Sequence, residues 1–247
     1  MTKQNMLLGV LGGLGPMSTV YFCELLIAHT KAACDADHID MLISSRASTP
    51  DRTAFILGTS QRDPLPVMQA EAKRLQNAGA DLLVIPCNTA HYFYDGLKKE
   101  CSLPILNIIE ETVAFLHRSG VRSIGLLATD GTVRSGSYDR ICRQYGMECI
   151  TPTREDQTAV MEIIYDAIKQ NKPVDRARFM EISDRLLARG AERIVLGCTE
   201  LSLLNKPERL DDRVFIDSLE VLALRTILAA EKEPIGFPES LLREASV

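Results

Sequence analysis

The chain's 247 residues, 46% hydrophobic and 25% charged, suffice for one large domain or for two of roughly 110–120 residues, each closing its own core. A formal net charge of −5 without a basic run or stripe argues against a nucleic-acid or membrane-surface partner, and no stretch approaches the ~18 consecutive apolar residues of a membrane span. Seven cysteines, an odd number with no C-x-x-C pair, exclude a disulfide scaffold and fit a reduced, cytoplasmic protein.

The apolar segment 6–11 is short and runs at once into a glycine-rich turn, so it reads as a first strand rather than a signal sequence. Further strands are expected at 40–44, 82–85, 105–108, 123–128, 148–150, 193–196 and 214–216. All are short, rich in Leu, Ile and Val, and apolar on both faces, as in a parallel sheet covered by helices on both sides. Helical patterns lie between them at 18–34, 66–77, 110–119, 137–145, 158–170, 176–189 and 218–231. Several stop at a glycine, which reaches positive φ without strain. Alternating strand and helix predicts an α/β fold with right-handed crossovers.

One segment occurs twice. Arg74-Leu75, three residues, then Gly79-Ala80-Asp81-Leu82-Leu83-Val84-Ile85-Pro86-Cys87 matches Arg185-Leu186, three residues, then Gly190-Ala191-Glu192-Arg193-Ile194-Val195-Leu196-Gly197-Cys198, each pair 111 positions apart. Each copy reads as a helix end, a glycine stop, a buried strand and a cysteine at its C-terminal end. The runs LLGVLGG from Leu7 and SIGLLAT from Ser123 open the two halves, so the second begins near Leu103-Pro104. The strand and helix beyond about Asp212 find no counterpart after Cys198 and are expected to return to the first unit. The predicted domains are 1–103 plus 212–247, carrying Cys87, and 104–211, carrying Cys198. Two long copies mark a duplication rather than a solenoid.

Ligands of open α/β sheets bind outside the carboxyl ends of the strands, and both cysteines fall there. They sit in Pro86-Cys87-Asn88-Thr89-Ala90-His91 and Gly197-Cys198-Thr199-Glu200-Leu201. Packed face to face, the halves bring two thiols to opposite sides of one small ligand. The helical N-terminus after each cysteine favours an anion and is expected to lower the thiol pKa toward neutrality. Cys23, Cys34, Cys101, Cys142 and Cys149 read as ordinary core filler. A zinc site on two thiols plus His91 lacks a fourth ligand and short ligand spacing. His91 is either a base beside a thiolate or a surface residue, and Glu200 either holds a ligand ammonium or is first-turn helix charge. The turn Gly12-Gly13-Leu14-Gly15-Pro16 fails the dinucleotide fingerprint, with Ser18 at the third glycine position, and reads as a turn approaching a ligand or the other domain. Arg46 and Arg52 suit carboxylate capture, yet they and Lys169 could simply pair with Asp51 and Asp166.

The two cysteine motifs, with Leu11–Pro16, Pro50–Gly58 and the segment from Gly125 to Thr132, resemble the aspartate/glutamate racemase superfamily, and its cofactor-independent aspartate racemases in particular, over essentially the whole chain. The resemblance implies two similar doubly wound parallel-sheet α/β domains related by pseudo-twofold symmetry, with the active site in the interdomain cleft, and a homodimer. It implies racemisation of aspartate or a related acidic amino acid without pyridoxal phosphate or metal. Cys87 and Cys198 become the two acid–base groups, Cys198 serving the L-isomer and Cys87 the D-isomer. Asn88, Thr89, Thr129, Thr132, Thr199 and Glu200 contact the amino-acid backbone groups or tune the thiols. Arg52 and Lys169 meet the side-chain carboxylate, and Arg46 has no clear role. The alternatives are glutamate or broad-specificity racemisation, another reaction on the same scaffold, or a non-catalytic amino-acid-binding clamp.

Overall fold

The computed structural model describes residues 5–206 and 208–245. The first half runs β1 (Leu7–Gly12), α1 (Pro16–His29), β2 (Asp40–Ser45), α2 (Arg52–Ile56), α3 (Leu65–Asn77), β3 (Leu82–Val84), α4 (Tyr94–Glu100), β4 (Ile105–Leu106) and α5 (Ile108–Arg118). The second runs β5 (Ser123–Leu127), α6 (Asp130–Ser135), α7 (Ser137–Gln144), β6 (Glu148–Ile150), α8 (Arg154–Glu162), α9 (Arg176–Ala188), β7 (Arg193–Leu196), β8 (Phe215–Asp217) and α10 (Ser218–Ala229), followed by α11 (Glu239–Ala245). The strands form two parallel sheets of four, ordered β2-β1-β3-β4 and β6-β5-β7-β8. Gly79 and Gly190, at φ 96° and 102°, make the matched turns into β3 and β7.

The sheets correct the expected division. The strand at 105–106 pairs with β3, so it closes the first sheet instead of opening the second unit at 104. The strand at 215–217 pairs with β7 and does not return to the first sheet. β8–α10 is therefore the counterpart of β4–α5. Asn107 accepts from the Ile109 and Glu110 N–H groups at the start of α5, and Asp217 accepts from the Leu219 N–H at the start of α10. The strand pairing stays within each half while helices cross over: α10 packs on α1 and α5, and α5 packs on α7. Their apolar faces join residues of both sheets, such as Val10 and Val84 with Ile124 and Val195, in one central core. Smaller cores back each sheet on its outer side, one around Met68 and Leu83 and the other around Phe179 and Ile194. The halves share their largest apolar contact, so each does not close its own core independently. Among the described residues no helix is long and apolar enough to cross a membrane.

Candidate active site

Each cysteine is delivered by a strand that stops on its own geometry. β3 runs into Pro86, and the Cys87 N–H turns back to the Ile85 carbonyl at 2.7 Å. The chain then enters a 3-10 turn, Thr89–Phe93. β7 runs into Gly197, where a Cβ would lie 2.5 Å from Leu126 Cδ1, and the matching 3-10 turn is Leu201–Asn205. Both thiols are buried, at 6% and 4% exposure, and both line one small cavity.

The first half contributes Leu14, Asp51, Arg52, Thr53, Asn88 and Thr89 to the cavity wall. The second contributes Thr129, Tyr165, Lys169, Thr199 and Glu200. Thr132 stands behind the wall, bonded to Thr89 at 2.9 Å and Thr129 at 3.2 Å. Several side chains expected to meet substrate are already engaged between the halves. Asn88 donates to Ser218 at 3.0 Å and accepts from Tyr138 at 2.8 Å. The Thr199 hydroxyl donates to the Pro86 carbonyl at 3.2 Å. These bonds hold the two strand ends together. Arg46 is outside the cavity, facing Glu71 at 3.6 Å.

The glycine turn approaches the opposite half, as its composition suggests. A Cβ on Gly15 would fall 2.6 Å from Glu200 Oε1. The corresponding Gly131 would set a Cβ 2.9 Å from Thr53 Cα and 3.1 Å from Thr89 Cγ2. Backbone cannot yield as a flexible side chain can, so Gly131→Ala is expected to destabilise the protein by about 1–3 kcal/mol. Calorimetry checks this, and an unchanged Tm contradicts it.

Arg52 is 8% exposed and fixed by three carbonyls. Its Nη1 donates to Pro50 at 3.0 Å and Thr49 at 3.4 Å, and its Nη2 to Leu14 at 2.8 Å. Its buried Nε has no partner. Of five guanidinium N–H groups, Nε–H and one on Nη2 remain for a carboxylate. Asp51 does not pair with it. That carboxylate caps α2, accepting from the Ala54 N–H at 2.7 Å, and accepts from the Tyr165 hydroxyl across the cleft at 3.2 Å. Lys169 lies 3.9 Å over the Tyr165 ring and 3.8 Å from Glu200 Oε1. Burial pulls the Lys169 pKa down, but Glu200, then Tyr165, Cys198 and Asp51, outweigh it and hold the ammonium charged.

The thiols depart from the sequence expectation. Burial raises both pKa values and outweighs the helical N-termini. Cys198 is raised the more strongly: the Glu200 carboxylate faces it, and its thiol donates to Glu200 Oε2 at 3.0 Å. At Cys87, Arg52, the Ala90 N–H and Lys169 oppose burial, while Glu200 adds to it. In the closed cleft both rest as thiols.

The Asp/Glu/hydantoin racemase family model matches residues 11–226. The chain belongs to that family. The coarse activity that follows is isomerisation by an amino-acid racemase. The chain is similar to the aspartate racemase of Picrophilus torridus, at 28% identity and TM-score 0.82, covering 98% of this chain and 100% of that one. It is 28% identical over 227 residues to the broad specificity amino-acid racemase RacX of Bacillus subtilis, covering 90% of this chain and 96% of that protein. The glutamate racemase of Francisella tularensis, solved with D-glutamate, shares the fold at 15% identity and TM-score 0.63, covering 98% and 92%.

In this racemase His91 is neither a surface residue nor a base at a thiol. It is 5% exposed and off the cavity wall. Its Nδ1 donates to the Cys87 carbonyl at 2.9 Å, and its Nε2 accepts from the Ile108 N–H at 3.3 Å, tying the strand end to α5. Burial pushes its pKa down to about 4 from 6.5. Neutral His91 therefore contributes fully above pH 6.5, and the contribution fades as pH falls toward 4, a loss of about 3 kcal/mol. Asp217, raised to about 7 by burial and then Glu220, acts in the opposite sense over the same window. The His91 effect is thus expected in a difference curve. Wild-type minus His91→Gln stability should fall with acid at up to about 1.4 kcal/mol per pH unit, and a flat difference contradicts the assignment.

Leu14, Asp51, Thr53 and Tyr165 line the cavity without having been singled out as site residues. Asp51 and Thr53 flank Arg52 and carry that signal. Tyr165 looks like core, with Met161, Ile164 and Ile168 at helical spacing. The predicted helix at 158–170 instead starts at Arg154 and passes through a π turn, Ile163–Ala167, into a 3-10 turn, Ile168–Gln170. That change of pitch accompanies the delivery of both Tyr165 and Lys169 to the cleft.

Proposed function

We propose that this racemase interconverts L- and D-aspartate by a two-thiol, two-base proton transfer. Two matched cysteines on the wall of one buried cavity carry the reading. One thiolate removes the α-proton while the opposite thiol delivers a proton to the other face, and the roles exchange with the enantiomer. Cys198 serves the L-isomer and Cys87 the D-isomer. Glu200 receives the Cys198 proton along their existing hydrogen bond, leaving the thiolate facing substrate. Lys169, 3.8 Å from Glu200, offsets the one negative charge of the Cys198–Glu200 pair on whichever partner it sits.

The substrate's second carboxylate suits the unpartnered edge of Arg52. A buried charged donor without an acceptor costs about 1–3 kcal/mol, which a carboxylate relieves. The α-carboxylate suits the 3-10 turns after the cysteines, whose first N–H groups lack partners within the turn. Donors fixed in a dry site stabilise the carbanion without a cofactor. Tyr165 bonded to Asp51 closes the cleft over the substrate.

Chiral separation after incubation with aspartate, glutamate and alanine tests the reading. Aspartate is expected to lead glutamate by about 10-fold or more in kcat/KM, and dialysis against EDTA should leave kcat unchanged. Equal turnover of alanine would favour the broad-specificity alternative, which the Bacillus subtilis relative supports. Binding without inversion would make the protein a clamp. A homodimer in the cytoplasm belongs to the same proposal, and sedimentation at twice 27.3 kDa checks the dimer.

A further inference from the structure

The two halves latch their cysteine turns differently. The fourth residue after each cysteine is His91 in one half and Ser202 in the other. His91 reaches the start of α5 through the backbone N–H of Ile108. Ser202 reaches the start of α10 through a side chain: its hydroxyl donates to Asp217 Oδ1 at 2.6 Å. Asn205, the last residue of the same 3-10 turn, donates from Nδ2 to Asp217 Oδ2 at 3.0 Å. One carboxylate therefore grips the turn after Cys198 and Glu200 near its start and at its end. Ser202 and Asp217 are shielded from water, at 0% and 4% exposure.

Capping α10 does not need that carboxylate. Asn107 holds the matching position on α5 and caps it with a neutral amide. A buried carboxylate costs more than a buried amide. What it adds is a second acceptor oxygen. Oδ1 serves the Leu219 N–H and Ser202, and Oδ2 serves Asn205. The carboxylate also stands on fixed backbone. Ser218, the next residue, donates to the Leu196 carbonyl at 2.7 Å and accepts from Asn88 at 3.0 Å, so α10 starts from a point bonded to both cysteine-bearing strand ends.

We propose that Asp217 is a positioning residue for Cys198: through Ser202 and Asn205 it fixes the 3-10 turn, and with it the Glu200 carboxylate that faces the thiol. Glu200 directly precedes that turn. Its carbonyl accepts from the Leu203 N–H at 3.0 Å, and its Oε2 accepts from the Cys198 thiol at 3.0 Å. Loosening the turn lets this carboxylate drift from the sulfur. The thiol then loses its acceptor and the negative charge that opposes its ionisation. It becomes more reactive toward an electrophile while losing the alignment that proton transfer needs. The catalytic consequence rests on the reading of Cys198 as a proton-transfer group.

The test alkylates the full chain, free of substrate, with iodoacetamide and follows each cysteine by peptide mapping. Asp217→Asn keeps Oδ1 for Ser202 and for the α10 cap but sets Nδ2 against Asn205, whose own Oδ1 is held by the Leu210 N–H at 3.1 Å. Ser202→Ala removes the other bond and leaves the cap in place. In each variant Cys198 is expected to react about fivefold faster than in wild type, with Cys87 at its wild-type rate. Asparagine caps a helix about as well as aspartate, so Tm should change little in Asp217→Asn. In both variants kcat for L-aspartate should fall about tenfold with KM unchanged. Cys198 alkylated at the wild-type rate in either variant overturns the proposal and leaves Asp217 a helix cap. Cys87 and Cys198 accelerating together also overturns it, because the whole cleft has then loosened. The alkylation pattern is read without substrate, so if it appears while aspartate is not inverted, the positioning role stands and the aspartate reading fails.

Discussion

Cys87→Ser and Cys198→Ser are each expected to lower kcat for aspartate racemisation by about 10²–10⁴-fold. A serine hydroxyl is a far weaker acid than a thiol and cannot supply the base, and one remaining thiol cannot serve both faces of the α-carbon. The substitutions are nearly isosteric, and in Cys198→Ser the introduced hydroxyl can still donate to Glu200 as the thiol does. Stability should therefore change little, which separates loss of chemistry from loss of fold. The two variants should also differ from one another. Cys87→Ser retains the thiol assigned to the L-isomer, so it should still exchange the α-proton of L-aspartate with solvent, and Cys198→Ser that of D-aspartate. Chiral chromatography with mass detection reads both effects. A single-thiol variant turning over at the wild-type rate contradicts the scheme.

Arg52→Lys is expected to lower kcat/KM for aspartate by about 10²–10³-fold, the loss of two charge-assisted hydrogen bonds. Lysine keeps the charge but cannot present Nε–H and Nη2–H together, nor satisfy the Leu14, Thr49 and Pro50 carbonyls in the same geometry. The residual activity should discriminate poorly between aspartate and alanine, because the fork is the element that selects a second carboxylate. Steady-state kinetics on both amino acids checks this. An aspartate preference unchanged from wild type would move the recognition of the side-chain carboxylate elsewhere, with Lys169 the remaining cation on the wall.

The candidate site was more legible in the sequence than the architecture that positions it. Cys87 and Cys198 stand out because strand, glycine and cysteine recur at fixed spacing, and a strand's C-terminal end is where such sheets bind ligands. The sheet membership of 105–106 and 215–217 was not legible. Strands of two or three residues carry no pattern that names a partner, and the crossing of α5 and α10 is set by packing between distant segments. Tyr165 was hidden for a related reason, since helical spacing alone does not reveal a π turn. The thiol pKa values illustrate a competition between effects. The helix-end field can be read from the motif, but the burial that overrides it at both cysteines depends on the other half of the molecule.

The most direct measurement follows deuterium through the first turnovers of L-aspartate in heavy water. Two opposed thiols that do not share a proton are expected to yield D-aspartate carrying solvent deuterium at the α-carbon while recovered L-aspartate stays protiated. Deuterium entering both enantiomers equally from the outset, or D-aspartate retaining the original proton, would contradict proton transfer between separate groups on opposite faces.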